Sequence, residues 1–294
     1  MAPAFEALPA SAATAVASYA ITASQHLAVE VGQAEHRIQL VNNWRIPAGS
    51  RLLEIGCGQG TCTAVLAEVV GSQGHIDAVD PGAPDYGAPV TLAQAQAHLS
   101  AGPMGSRIEW HHGETADLLA RCPDKSWDFA VLAHSIWYFS SPETLSNLLL
   151  SLKGRVGAVL VAEYALTATH PHALPHVLAA IARGSLEAHN TTSEANIRSL
   201  LSPHSIRDVS ETSGWKLDSD AILTPNEALL DGSWETSAVL SKDFDESIEA
   251  GIGNVNIKAV LRSSREAVIG AVRLLKGSKV RTMDVWVARF SPVG

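Results

Sequence analysis

The stretch Leu52-Leu-Glu-Ile-Gly-Cys-Gly-Gln-Gly-Thr61 decides the reading of the chain. A short apolar run over 51–55 enters Gly56, Gly58 and Gly60, and a helical pattern then runs over 61–70 until Gly71 closes it. Glycines let the backbone turn tightly and leave bare main chain for a ligand to lie against. The start of the helix beyond them offers unpaired N–H groups and positive potential. A glycine-rich link between strand and helix also occurs as a plain turn, so its neighbours carry the decision.

Working outward, a second strand over 75–79 ends on Asp80. An acid at that tip can accept from both hydroxyls of a ribose. The segment 81–89 holds Pro81, Pro84, Pro89, Gly82 and Gly87 and reads as a loop. A helix is expected over 91–99 and a third strand over 107–112, followed by Gly113-Glu-Thr115. A fourth strand over 127–133 leads into His134-Ser-Ile-Trp-Tyr138, then come a helix over 142–152 and a fifth strand over 158–164. This alternation predicts an α/β fold with a doubly wound parallel sheet and a ligand crevice at the carboxyl ends of its strands. A dinucleotide loop of the G-x-G-x-x-G type needs glycine at 61, where Thr61 stands, so a nicotinamide dehydrogenase is disfavoured.

The G-x-G-x-G with Glu54 two residues ahead of it resembles motif I of class I S-adenosylmethionine-dependent methyltransferases. Asp80, Glu114-Thr115 and the segment 127–138 extend the resemblance over about 45–165. It implies a Rossmann-like seven-stranded methyltransferase sheet, doubly wound, with helical cap additions, and S-adenosyl-L-methionine as cofactor. Residue by residue, it implies that Glu54 and Gly56 hold the methionine end, that Gly58 and Gly60 make room, and that Cys57 is among the cofactor-binding residues. It gives Asp80, with Pro81, to the ribose, Glu114 to the adenine amino group, and Thr115 to a place beside the ring. His134 and Ser135 fall near the amino-acid moiety and the methyl group. Glu114 stands where aspartate is commoner, and the loop 81–89 lengthens the link after Asp80.

The remaining chain reads as helical additions to one domain, 1–294. A helix over 23–44, ended by Pro47-Ala-Gly, gives an N-terminal helical lid (1–48) ahead of the cofactor-binding core (49–167). A mostly helical substrate cap (168–280) contains helices over 170–189, 205–213, 235–249 and 257–275 and a strand over 215–223, and a last strand lies in 281–290. Tyr19, Gln33, His36 and Arg37 are the lid's polar candidates; the simpler reading places them on the outward face of a helix packed on the sheet. Ser233 suits a helix N-cap, and Trp234 and Glu235 follow it.

Methyl transfer from a sulfonium is an in-line displacement, so an enzyme must align the acceptor and exclude water. A base helps when the attacking atom carries a proton. His134 and Tyr138, after the fourth strand, take the catalytic assignment. Glu163 and Tyr164 end the fifth strand, His111 and His112 end the third, and His170, His172 and His176 lie beyond; all are further candidates. The run Trp137-Tyr-Phe139 suggests a hydrophobic substrate wall. His172 and His176 are four apart, but without an H-E-x-x-H pattern or a nearby acid before Glu187, so no metal site is expected.

Composition narrows the function further. Hydrophobic residues make up 46% and charged residues 17% of 294, enough for a large buried core. A net charge of −9 with no basic stripe argues against nucleic acid. Cys57, Cys62 and Cys122 lack C-x-x-C spacing and fit free thiols in a reducing, cytoplasmic setting. No apolar run is long enough to span a membrane, and the first 25 residues lack Lys and Arg, which argues against a targeting segment. The Ala-rich N-terminus suits a homodimer contact. The expected function is O- or N-methylation of a small, moderately hydrophobic molecule, with secondary metabolism a setting that similar capped proteins suggest. Two alternatives stay open: a cyclisation steered by the sulfonium in the same fold, and a non-catalytic methyltransferase-like subunit, against which the intact loop and Asp80 argue.

Overall fold

The computed structural model describes residues 5–21, 26–190 and 197–294. Its strands are nearly continuous apolar runs because each inner one is covered on both faces. They are β1 (Arg51–Ile55), β2 (His75–Asp80), β3 (Ile108–His112), β4 (Trp127–Ala133), β5 (Val156–Tyr164), β6 (Trp215–Leu223) and β7 (Val285–Pro292). They form one seven-stranded sheet in the order β3-β2-β1-β4-β5-β7-β6. The first five strands pair in parallel, while β7 runs antiparallel between β5 and β6.

The two-residue period of the strands separates two cores. Leu52, Ala78, Val131 and Leu160 face one side; Leu53, Val79, Leu132 and Val161 face the other. The first side is covered by α1 (Ala12–Ala17), α2 (Leu27–Trp44) and α3 (Thr61–Val70), with Leu99 of α4 (Leu92–Ala101). The second is covered by α5 (Thr115–Arg121), α6 (Pro142–Leu152) and α8 (Pro203–Thr212). Each fully buried Leu or Val contributes about 1.5–3 kcal/mol through area removed from water. A third core belongs to the cap. There α7 (Leu174–Glu187), α9 (Asp231–Leu240), α10 (Lys242–Gly251) and α11 (Val255–Leu274) enclose Leu186, Val239, Phe244, Ile248, Leu261 and Val268. Among the described residues no helix is long and apolar enough to cross a membrane.

Several expectations need correction. The expected helix start at Ala23 lies outside the described residues, as do 1–4 of the N-terminal segment and 191–196 of the cap. The helix α5 has too few apolar positions to show periodicity in sequence, yet Leu118 and Leu119 are enough to dock it. The single helix expected over 235–249 is two, because Ser241 is extended (ψ 166°) and separates α9 from α10. Ser233 is no N-cap: Leu230 holds that position, and the Ser233 hydroxyl sits in the first turn and donates to the Val280 carbonyl at 3.1 Å. The last strand begins at Val285 rather than 281.

A polar tie fixes the edge of the sheet. Asp77 on β2 is fully buried, and its carboxylate takes His111 Nε2, Lys125 Nζ and Trp127 Nε1, each at 2.7 Å. Burial alone would raise its pKa; these hydrogen bonds overcome that and hold the carboxyl well below its ordinary value. His75, Asp77 and Glu109 bring ligand-type atoms within 4.8 Å of one another. The Lys125 ammonium stands 2.7 Å from Asp77 and 3.6 Å from Glu109, so a lysine already occupies the cation's place between the two carboxylates.

Lys125→Met leaves a buried charge short of its partner and is expected to cost about 3–5 kcal/mol in urea unfolding. Because the folded pKa of Asp77 is depressed, its stabilisation is present above the unfolded carboxyl pKa of about 4 and is lost as pH falls below it. Wild-type stability flat between pH 5 and 3, or a Lys125→Met variant of unchanged stability, would contradict this account.

Candidate active site

The strand order reverses between β1 and β4, which opens a crevice at their carboxyl ends. The glycine loop lies there with positive φ at Gly56 (78°), Gly58 (54°) and Gly60 (90°). The three glycines do different work. A Cβ on Gly56 would lie 2.5 Å from the Ser135 Cβ, so this glycine lets the loop after β4 close onto β1. A Cβ on Gly60 would strike Leu99 and Trp110, so the room Gly60 makes is for the protein's own side chains. Of the three, only Gly58 has open space where a Cβ would stand, so a ligand can approach the main chain closely there.

The acid after β2 is tied to this loop. Asp80 Oδ2 accepts from the Gly58 N–H and Oδ1 from the Gly82 N–H, both at 2.8 Å. Each oxygen keeps a further acceptor site. The Gly113 N–H donates to the Asp80 carbonyl at 3.0 Å, which brings Glu114 and Thr115 to the same strand tip. Glu114 is exposed at the N-cap of α5, Thr115 is buried behind it, and Pro81 is exposed beyond Asp80. Cys57 is buried, and its N–H donates to the Val79 carbonyl. Burial, then Glu54 and Asp80, push its thiol up, so it is a neutral packing group.

Glu54, on the last turn of β1 into the loop, is 2% exposed, and its Oε2 has no hydrogen-bond partner. Burial raises its pKa to about 7, against the opposing pull of the neighbouring Thr63 and Cys62 side chains. Ser135 Oγ is likewise buried and unpartnered. An acid without a partner at Oε2, a free hydroxyl, a glycine with open space in place of a side chain and a ribose-type carboxylate suit the ends of S-adenosylmethionine, so the residues present fit that group.

Beside the loop lies a buried polar cluster, a closed chamber of packed side chains roofed by α2. His134 follows β4 with φ 56°, rare for a side chain of its size. Its Nε2 is 2.9 Å from His36 Nε2, and its Nδ1 is 3.6 Å from Glu163 Oε1. Glu163 is fixed by backbone: Oε2 accepts from the Ile136 and Trp137 N–H groups and Oε1 from the Tyr164 N–H. The Tyr164 ring packs 4.5 Å from His134 and 5.1 Å from His176. Burial holds His176 down to about 4; its Nδ1 accepts from the Met283 N–H, so the proton sits on Nε2, a buried donor without a partner. From the lid, Gln33 Nε2 donates to Asp231 at 3.0 Å, and Arg37 Nη1 donates to Gln33 at 2.6 Å while its Nε is unpartnered.

The structure thus brings Glu54, Gly56, Cys57, Gly58, Asp80, His134 and Ser135 to one crevice. Tyr138 stands at its lip, half exposed. Burial, then Glu235, Tyr86, Glu163 and Asp231, push its hydroxyl up, so it is a neutral donor. Trp137 is buried, donates to the Leu201 carbonyl at 2.8 Å and packs tilted against Tyr164, whereas Phe139 packs into the second core, so the three aromatics form no continuous wall. His111 belongs to the Asp77 tie, His112 is exposed, and His170 and His172 meet edge to face outside the chamber. Gln33 and His36, expected on an outward face, are 9% and 1% exposed and point inward. Asp231 was missed; its spacing of four from Glu235 on one helix face was the available signal.

Comparison with known proteins is consistent with this geometry. Residues 31–220 match the profile of a family described as methyltransferase domain. Methyltransferase phomM' of Diaporthe leptostromiformis is 30% identical over 82% of this chain and 73% of its own length. A cyclopropane-fatty-acyl-phospholipid synthase-like protein from Lactobacillus casei superposes with a TM-score of 0.85 and 29% identity, covering 96% of this chain and 100% of the other. The cyclase SpnF, at 14% identity and a TM-score of 0.52 over 89% and 83% of the two chains, shares the fold.

Asp80→Ala is expected to weaken S-adenosylhomocysteine binding by about 1–3 kcal/mol in calorimetry; unchanged affinity removes the ribose role. Gly58→Val places a β-branched residue in the left-handed region and should abolish binding without unfolding the protein. Below about pH 7 Glu54 is neutral, and a ligand ammonium favours its ionised form. Affinity should therefore rise with pH up to about 7 and level above it, and Glu54→Gln should flatten the profile.

Proposed function

The chain belongs to the methyltransferase-domain family, and on that premise we propose that it methylates O or N of a small, moderately hydrophobic molecule. S-adenosylmethionine is the cofactor; when bound, it supplies an electrophilic methyl group open to in-line displacement. The observation that carries the small-molecule reading is the chamber roofed by α2. It has unpartnered His36 Nδ1, His176 Nε2 and Arg37 Nε beside Ser135 and Glu54. Buried polar atoms without partners cost free energy unless a ligand meets them.

In this reading Asp80 accepts from the ribose hydroxyls, with Pro81 beyond it, and Glu114 and Thr115 flank the adenine. Gly56, Cys57 and Gly58 present backbone, and Gly60 keeps the loop tight by accommodating Leu99 and Trp110. Glu54 pairs with the ammonium of the methionine end. His134 and Ser135 stand near the methionine end and the methyl group. Tyr138, a neutral phenol at the lip, donates a hydrogen bond that orients the acceptor. Helix α2 and cap helices α7 and α9 exclude water, which strengthens each of these contacts. This makes 1–48 the lid and 168–280 the substrate cap of a single domain. Free thiols at all three cysteines accord with a cytoplasmic enzyme, acting without nucleic acid or membrane. The capped crevice accords with an acceptor from secondary metabolism, and the N-terminal segment with a homodimer contact.

The deciding experiment incubates the protein with S-adenosylmethionine and a panel of small phenols, alcohols and amines and follows mass. A product one methyl group heavier, with stoichiometric S-adenosylhomocysteine, supports the proposal. A product of unchanged mass would reassign the site to cyclisation, and binding without any product would favour a non-catalytic subunit. His134→Ala is expected to lower turnover by about 10²-fold or more with little change in S-adenosylhomocysteine affinity.

A further inference from the structure

Two imidazoles meet in the chamber, His36 from the lid and His134 from the sheet, with their Nε2 atoms 2.9 Å apart. In a neutral pair one Nε2 must donate and the other accept. Glu163 decides which. Its Oε1 lies 3.6 Å from His134 Nδ1, too far for a hydrogen bond, so that nitrogen also lacks a partner, but the nearby negative charge favours the tautomer with the proton on it. His134 Nε2 is then the acceptor, His36 Nε2–H the donor, and His36 Nδ1 carries a lone pair. That atom is buried and has no partner in the protein. The His134 backbone, at φ 56°, is held in the left-handed region that brings its ring to this place.

We propose that His36 is the group that takes the acceptor's proton, on Nδ1, with His134 and Glu163 as positioning residues behind it. The inference rests on the methyl-transfer reading above. As the bond from the acceptor's O or N to the methyl carbon forms, the methyl–sulfur bond breaks and its electron pair goes to sulfur. The proton on the attacking atom passes to His36 Nδ1. The Nε2 proton of His36 is then free to move to His134 Nε2, which leaves the positive charge between His134 and the Glu163 carboxylate. The balance needs no further reactant.

The ring suits the task because it is neutral. Burial, then Arg37, then His134 keep the His36 pKa well below the ordinary value. A neutral base does not repel the cationic methyl donor. It need not be strong either, since an attacking oxygen or nitrogen becomes strongly acidic as it is alkylated. The groups that face the pair are Arg37 from α2, Glu163 and Tyr164 from β5, His176 from α7 and Asp231 from α9. The acceptor class follows: a hydroxyl, a phenol or a neutral amine, each of which must shed a proton as it is methylated, in preference to a carboxylate, which has none to lose.

The test begins on the full chain loaded with S-adenosylhomocysteine and labelled with 15N-histidine. Nuclear magnetic resonance should show His36 Nδ1 unprotonated, protons on His36 Nε2 and His134 Nδ1, and scalar coupling between the two Nε2 nitrogens. Glu163→Gln should disturb this tautomer pattern. A proton on His36 Nδ1, or no coupling, overturns the proposal whatever the enzyme methylates. With a methylated acceptor in hand, His36→Gln should lower kcat by about 10²-fold or more, remove the acid limb of the wild-type pH profile, and leave S-adenosylhomocysteine affinity unchanged. A His36→Gln enzyme with normal kcat also overturns it. Absence of any methylated product sinks the methyl-transfer reading instead, and the resonance measurement still decides whether the lone pair is there.

Discussion

Carboxylates that receive backbone N–H groups at the ends of strands hold this crevice open. The loops after β1, β2, β4 and β5 leave the sheet just where its ladder stops supplying partners, and a buried N–H without an acceptor is costly. Asp80 answers for Gly58 and Gly82. Glu163 answers for Ile136, Trp137 and Tyr164. Asp284 takes the Thr169 N–H and the hydroxyls of Thr167, Thr169 and Thr224. Each acid fixes a loop first, and two of the three then have a lone pair or a charge to spare for chemistry. Positioning and reactivity thus come from the same side chains.

That economy explains which parts of the site could be read in advance. Gly56, Gly58, Gly60 and Asp80 form a local pattern, bound to one strand–loop–helix unit, and local patterns survive in sequence. The doubly wound core shows through apolar runs such as Leu52–Ile55 and Val159–Ala162. His36 and Gln33 could not be placed, because helical spacing says which residues share a face and not what that face meets. An inward polar face is stable here only because α2 spans a chamber of polar partners drawn from β4, β5 and α9. The helix α5 is too short to display a period, and the break at Ser241 carries neither proline nor glycine to mark it. Asp77 looked like an ordinary strand residue; its partners His111, Lys125 and Trp127 come from three later segments.

The chamber also shows how a hydrophobic fold accommodates a polar interior. Its members form two chains: Arg37, Gln33 and Asp231 are joined by hydrogen bonds, and His36 meets His134, whose Nδ1 faces Glu163 at 3.6 Å without a hydrogen bond. Each chain ends in an atom the protein does not satisfy. Such unfinished networks weigh against stability, and they concentrate where function needs specific donors and acceptors.

The placement of β7 has a consequence for how the molecule is made. β7 follows β6 in the chain yet lies between β5 and β6, so these two strands do not touch without it. Its pairing joins Val159 to Phe290 and Tyr164 to Val285, across a span that contains nearly the whole cap. Until that segment has been synthesised, β5 presents an open, apolar edge of the kind that templates intermolecular pairing. Met283 and Asp284, just ahead of β7, also hold His176 and the loop after β5. A nascent chain is therefore most at risk of aggregation, and still without its chemistry, for the same interval, and one late strand ends both conditions together.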